Sequence, residues 1–404
     1  MALTKTSYLE MNLTDSLVGV DLCHRIEQWL DKNPESVMEG HKLMRSWLLR
    51  MIEATASDLD FGGPGSKQMI WMRIYGIKSP NPDFGTYAPW ETNLIILSWL
   101  TPLQKKRLYQ DLSIDFSVSI REMGTTTRYR GTVYFENNYL SANFRRINSS
   151  LYSMSNLGIP KPIAERMNLN YEKTGLVLVT GITGSGKSTT LDAIIDMNNR
   201  DNQAHIVIIG HPIEFVHESK MALVKHREVG VDVQSFKHGA IESLRQDPDI
   251  IMIGEMRDPD TIATVLEITD SGHKVFTTLH TSSAIDSIHR IIAEFPSEEQ
   301  ERIRNRLADV LKVSISQKLV PSVDNKLILA KEIMSVDSSI QAAIRNKNIG
   351  EIYQMMVEGK RFGMMTLEQD LLDLYKHGFI TNKTAINYAN NKKRITQLLS
   401  MPGV

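Results

Sequence analysis

Residues 181–188 read Gly-Ile-Thr-Gly-Ser-Gly-Lys-Ser, which satisfies G-x-x-x-x-G-K-[ST]. Glycines at this spacing let backbone N–H groups wrap a phosphate. A helix beginning at the lysine adds the positive end of its dipole. Gly181, Thr183, Gly184, Ser185, Gly186, Lys187, Ser188 and Thr189 are the candidate cradle. In it Lys187 would reach the β- and γ-phosphates of ATP, and the Ser188 hydroxyl would ligate Mg²⁺. An apolar strand at 176–180 precedes the loop and a helix at 187–199 follows it, the context that separates a phosphate loop from a chance match on a turn.

Hydrolysis needs acids beside that cradle. DPDIIMIGEMRD at 247–258 is an apolar strand ending in Gly254-Glu255. Carboxyl ends of strands line the ligand crevice of open α/β sheets, so Glu255 is a candidate for the metal shell, directly or through water. Asp258 and Asp260 flank a proline and suit a helix start better than catalysis. KVFTTLH places His280 at another strand end. Position alone serves a γ-phosphate sensor and a surface-loop histidine equally. IVIIGHPIEFVH at 206–217 sets one carboxylate, Glu214, just past a third buried strand. There it could polarise the attacking water; a solvated loop acid is the alternative, less suited to so apolar a setting.

The elements that must hold these groups follow from periodicity. Short apolar runs, LVLVT, HIVIIG, DIIMIG and KVFTTL, alternate with helical segments between 161 and about 335. That pattern predicts a parallel sheet covered on both faces, an α/β P-loop NTPase domain. Before it, 16–31 and 35–57 read as amphipathic helices. In the second, Val37, Met38, Leu43, Met44, Trp47, Leu48 and Met51 recur at helical spacing. Residues 58–147 turn short and β-like, which makes 1–147 a small helical plus α+β domain. NSSLYSMSNLGIP at 148–160 reads as a linker, and the region 336–404 as a polar helical tail.

Bulk composition excludes several classes. The chain has 404 residues, enough for two or three domains. Lys+Arg number 46 against Asp+Glu 47, so no global field favours nucleic acid or anionic lipid, and no stable nucleic-acid binding is expected. Cys23 is the only cysteine, which excludes an internal disulfide and a four-cysteine zinc site and fits a reducing compartment. No signal peptide and no membrane-spanning run is visible, so membrane association is expected to be peripheral.

Several segments together resemble the secretion ATPases of type II/IV systems, most closely the type IV pilus retraction ATPases (PilT-like). They are GLVLVTGITGSGKSTT, HPIEFVH, REVGVDVQSFKHGAIESLRQDPDIIMIGEMRD, SGHKVFTTLHTSSAIDSIHRIIAEFP, LADVLKVSISQKLV and GMMTLEQDLLDLYKHGFIT, within residues 50–400. The resemblance implies a RecA-like ATPase domain with a smaller PAS-like N-terminal domain. It makes Lys187 and Ser188 the Walker A ligands, Glu214 the catalytic glutamate, Glu255 the Walker B acid and His280 the histidine near the γ-phosphate. TRYRGTVYF and ANFRRI resemble the N-domain segments that supply arginines to a nucleotide. Arg130 and Arg145 are the best positional matches, with Arg128 or Arg146 as alternatives. SIQAAIRNKN resembles a C-terminal segment tied to retraction. Where the family usually reads Glu-Asp-Pro-Ile-Glu, this chain has Gly210 and His211 in the first two places. A single cysteine also sets it apart from the pilus-extension class, which usually carries a Cys-x-x-Cys pair of pairs.

What the resemblance implies about function is a homo-hexameric motor on the cytoplasmic face of the bacterial inner membrane. It would bind ATP and Mg²⁺ and work against a membrane platform protein to drive pilus retraction and twitching motility. Two alternatives stand beside it. One is the same engine in a conjugation or type IVb-like secretion apparatus. The other is a weakly hydrolysing ATP-binding regulatory subunit, which rests on Gly210-His211 alone.

Overall fold

The computed structural model describes residues 11, 13–14, 16–122, 124–147, 151–324 and 326–401. The chain divides into two compact units, Met1–Ser149 and Ser150–Val404. Residues 148–150, where the expected linker begins, lie outside the described residues.

The first unit contains helices α1 (Gly19–Leu30), α2 (Pro34–Glu53), α3 (Pro89–Trp99) and α4 (Pro102–Asp111). Its strands are β1 (Asp58–Gly62), β2 (Trp71–Ile74), β3 (Ile77–Pro80), β4 (Ser113–Glu122), β5 (Thr125–Glu136) and β6 (Tyr139–Arg146). They form one antiparallel sheet in the order β3-β2-β1-β6-β5-β4. Pro34 starts α2 where its missing N–H costs nothing, with Glu35 in the first turn and Arg50 in the last to suit the dipole. Met44, Trp47, Leu48 and Met51 bury as their spacing predicts, but Met38 is 71% exposed and belongs to the solvent face. Gly40 lets α2 approach α3, because a Cβ there would lie 2.4 Å from Ser98 Oγ.

Helices α3 and α4 fall in the stretch that periodicity assigned to strands. The reason is burial: residues 92–97 of α3 are all covered, so no amphipathic stripe shows. The start signal of α4 is visible in retrospect. Thr101 and Gln104 make a reciprocal capping box that spans Pro102 at the first helical position.

The second unit opens with α5 (Lys161–Met167) and builds a seven-stranded sheet. Its strands are β7 (Gly175–Thr180), β8 (His205–Gly210), β9 (Leu223–Glu228), β10 (Ile250–Ile253), β11 (Lys274–Leu279), β12 (Leu311–Pro321) and β13 (Leu327–Ser335). The order is β13-β12-β7-β11-β10-β8-β9. Neighbours run parallel except the edge strand β13, which pairs antiparallel with β12. Strands β7, β10 and β11 are buried end to end, as unbroken apolar runs between two helical layers must be. The helices are α6 (Lys187–Asp201), α7 (Phe236–Ser243), α8 (Pro259–Asp270), α9 (Ala284–Ala293) and α10 (Gln300–Val310).

The C-terminal region adds α11 (Ser338–Arg345), α12 (Ile352–Glu358), α13 (Leu367–Lys376), α14 (Asn382–Tyr388) and α15 (Lys392–Leu399). It is less polar than its composition implied. Ile340, Ile344, Ile352 and Met356 join the main core, while Leu367, Leu371, Ile380 and Ile395 close a smaller one with Val320 and Ala330 of the β12–β13 hairpin. In the segment read as linker, Met154 and Ile159 bury in the core of the second unit.

Candidate active site

Strand β7 ends at Thr180 and the chain turns at once through 181–186 into α6. The turn needs glycine: φ is +147° at Gly181, +78° at Gly184 and +86° at Gly186. A Cβ on Gly181 would lie 2.4 Å from Ser185 Oγ and 2.5 Å from the Gln317 carbonyl oxygen. Gly184 faces open space and Thr183 is exposed, whereas Ser185 is buried beneath the loop. Lys187 folds back over the cradle, its Nζ donating to the carbonyls of Gly181 (2.9 Å) and Ile182 (3.2 Å). Ser188 and Thr189 stand half-buried in the first turn of α6.

The other candidate groups come from neighbouring strand ends. Glu255 follows β10, and its Oε1 lies 2.9 Å from Nε2 of His280, which follows β11. The other carboxylate oxygen accepts from Arg257 Nε at 2.7 Å. The two strand ends are laced: Thr278 Oγ1 donates to the Gly254 carbonyl (2.7 Å) and Met256 N–H to the Thr278 carbonyl (3.2 Å). Asp258 caps α8 by accepting from Thr261 N–H, as its place beside Pro259 implied.

Glu214 lies in the segment after β8. Burial lowers the affinity of the Lys187 amine for its proton, and the charges of Glu255 first and Glu214 second oppose that shift. One lysine therefore feels both carboxylates, and Glu255 is in turn the partner of His280. His211 does something else. Its Nδ1 lies 3.0 Å from the Val229 carbonyl oxygen, and since a carbonyl only accepts, that nitrogen carries the hydrogen.

Arg130 and Arg145 belong to the first unit. The β5–β6 register sets them directly opposite each other, and Arg130 lies 3.0 Å from Asp115 while Arg145 lies 2.8 Å from Asp58. Burial pushes the Asp58 carboxyl up. Hydrogen bonds from Arg145 and Ser57 and the charges of Arg145 and Arg73 together outweigh it and leave the group below the ordinary carboxylate range. Arg146 pairs in register with Tyr129, whose hydroxyl reaches the Leu48 carbonyl, so it shares the helix-covered face and not the face of Arg145. Arg128 donates to Ser117 and Ser119.

Sequence reasoning missed Gln317, which lies on β12. Its Nε2 donates to the Ser185 carbonyl (2.8 Å) and its Oε1 accepts from Thr190 Oγ1 (3.0 Å), so one buried amide ties the phosphate loop to the helix behind it. No local signal marks it, because its partners lie more than 120 residues away. A cavity of about 680 Å³ lies elsewhere in the second unit, lined in part by Arg166, Tyr171 and Arg361, and none of the candidate residues lines it.

A family model described as "Type II/IV secretion system protein" matches residues 41–398. The chain is 37% identical over 310 residues to a twitching motility protein of Neisseria gonorrhoeae, covering 76% of this chain and 80% of that protein. It is 38% identical over 295 residues to the type IV pilus retraction ATPase PilT of Pseudomonas aeruginosa, covering 73% and 84%. The solved structure of the pilus retraction motor PilT with bound ADP superposes with a TM-score of 0.79 at 34% identity, over 87% of this chain and 98% of that one.

Proposed function

This chain belongs to the type II/IV secretion system protein family, and from that membership we propose that it is an ATP-hydrolysing motor driving type IV pilus retraction. The observation that carries the reading is the glycine turn at 181–186 that folds Lys187 over the phosphate cradle, with the paired Glu255 and His280 at the neighbouring strand ends. The ADP held by the related retraction motor supports nucleotide binding here.

Lys187 would neutralise the β- and γ-phosphates while the loop N–H groups and the start of α6 hold them. Ser188 and Glu255 fit Mg²⁺, a hard cation that takes few protein oxygens and leaves the rest of its shell to phosphate and water. Bound there, the ion would neutralise charge on the phosphates. Glu214 would orient the attacking water. His280, tied to Glu255, would present its ring toward the γ-phosphate side of the site. Arg130 and Arg145 would act from a neighbouring chain of a homo-hexamer, adding positive charge on the developing phosphoryl group beyond what Lys187 supplies. No helix among the described residues is long and apolar enough to cross a membrane. Attachment to the cytoplasmic face of the inner membrane would therefore run through a platform protein.

The test is phosphate release by the purified chain with MgATP, joined to pilus retraction in cells that carry Lys187→Ala. Loss of both supports the motor; retraction at the parental rate with Lys187→Ala overturns it. Related ATPases of conjugation and type IVb-like secretion machines also vary at the place of Gly210-His211, which favours a second reading, the same engine in such an apparatus. In that case the variant cells retract pili normally but fail in transfer.

A further inference from the structure

Helix α6 carries groups that the phosphate chemistry does not use. Asp192, Asp196 and Asn199 recur at i, i+4 and i+7 and so share one face. That face zips to the segment that follows Glu214. Asp192 Oδ1 lies 3.1 Å from His217 Nε2. Asn199 donates to the Glu218 carbonyl at 2.8 Å and accepts from Lys220 N–H at 2.9 Å. Asp196 Oδ1 lies 2.6 Å from Lys220 Nζ. Of these ties, the one between Asp192 and His217 is nearest the phosphate loop, five residues past Lys187 and three past Glu214.

The His217 ring is enclosed, held through Nε2 while its buried Nδ1 has no hydrogen-bond partner among the described residues. Its side chain is 1% exposed, Phe215 meets it edge-on at 4.6 Å, and His226 stacks on it at 6.2 Å. Its backbone N–H donates to His226 Nε2 at 3.1 Å. A carboxylate only accepts, so Nε2 carries the hydrogen shared with Asp192. Burial pushes the Asp192 carboxyl up, the His217 hydrogen bond and charge pull it down, and the charge of Glu214 pushes it up again. Glu214 is therefore close enough for Asp192 to feel it. Before Glu214 the segment is pinned by His211 to the Val229 carbonyl and by Ile213 N–H to Glu228 Oε2. Both anchors lie on or just past β9, not on the phosphate-binding helix.

We propose that Asp192 and His217 are positioning residues that lock the segment bearing Glu214 to the helix bearing Lys187 and Ser188. The proposal rests on the reading of Glu214 as the group that orients water. With the lock in place, the carboxylate and the phosphate cradle keep one geometry through the cycle. Without it, the first tie to α6 after Glu214 falls back to Asn199 and the Glu218 carbonyl, and a displacement of Glu214 by about 1 Å costs on the order of 10²-fold in rate.

The experiment measures kcat and the affinity for a non-hydrolysable ATP analogue in the assembled protein. Asp192→Ala and His217→Asn should lower kcat about ten- to hundredfold with analogue affinity held within twofold. Asp192→Asn, which keeps an acceptor for Nε2–H, and His217→Gln, which reaches one methylene further than Asn, should recover most of the rate. In a Glu214→Gln background, Asp192→Ala should cost less than twofold more. A merely structural pair would instead lose binding and rate together and add its loss to that of Glu214→Gln, and either result overturns the proposal. If Asp192→Ala fails to fold, the His217→Gln and His217→Asn comparison decides alone, and equal rates overturn it. A fully active Asp192→Ala beside an inactive Glu214→Gln overturns the lock alone. A Glu214→Gln chain with the parental rate overturns both this lock and the reading of Glu214.

Discussion

Replacing Gln317 with leucine tests whether one amide on β12 holds the phosphate loop in shape. The side chain is 2% exposed and makes two bonds, to the Ser185 carbonyl and from the Thr190 hydroxyl. Leucine has similar bulk, so packing is nearly conserved while two buried polar groups lose their partner. Each such loss costs about 1–3 kcal/mol. The apolar side chain returns about 1 kcal/mol of transfer energy, which leaves a net cost of about 1–5 kcal/mol. For a unit of this size 1 kcal/mol moves Tm by roughly 2–4 °C, so the nucleotide-free protein should melt about 2–20 °C lower. Gln317→Glu should be worse than leucine, because a carboxylate oxygen would then face the Ser185 carbonyl. Scanning calorimetry without nucleotide reads the stability, and analogue binding reads the loop. A Gln317→Leu protein that melts within 2 °C of the parent, with analogue affinity within twofold, refutes the reasoning, since the amide would then be a bystander.

Glu214→Gln should lower turnover at least ~10²-fold while ATP still binds. His211→Ala should cost less than about tenfold, roughly 1.4 kcal/mol of barrier, because that ring is spent on the Val229 carbonyl; steady-state kinetics on both variants checks the contrast, and equal inactivity would put the histidine in the mechanism. Burial raises the Glu332 carboxyl to about 7, against the Ala284 N–H that lowers it and the Glu368 charge that raises it further. A raised carboxylate contributes its stability below the unfolded value near 4.5 and loses it as pH climbs through about 7, so Glu332→Gln should gain up to about 3 kcal/mol at pH 8 relative to pH 5, read from denaturant midpoints. Mixing chains carrying both Arg130→Ala and Arg145→Ala with Glu214→Gln chains should restore some hydrolysis. No recovery in mixed rings that demonstrably form would count against sites shared between chains.

How much of this was legible in the sequence depends on where each residue's partners lie. The phosphate loop is local: glycines, lysine and helix start sit within eight residues, and the structure turns there through the positive φ that those glycines allow. The strands that carry Glu255 and His280 were legible because burial on both faces demands unbroken apolar runs. The edge strand β9 was not, because LVKHRE carries four charged or ionisable side chains in six residues and its burial follows no regular alternation. Helix α3 was missed for the opposite reason, since cover on all sides erased the period that would have marked it.

The groups that sequence could not reveal share one property: their partners lie far along the chain. Gln317 meets a loop more than 120 residues earlier, and Asp192 meets a histidine 25 residues later across the end of a strand. In each case a polar side chain from one element fixes the backbone or ring that positions a reacting group on another. Such contacts have no periodicity and no fixed spacing, so only topology brings them together. Parallel sheets make them inevitable. Adjacent strand ends come from distant parts of the chain, and a site assembled at those ends needs side chains that cross from one connection to the next. Glu214 illustrates the point. Its residue type and its place after β8 were readable at once, but a carboxylate in a loop orients water only if the loop itself is held, and what holds it on the phosphate side is the polar face of α6.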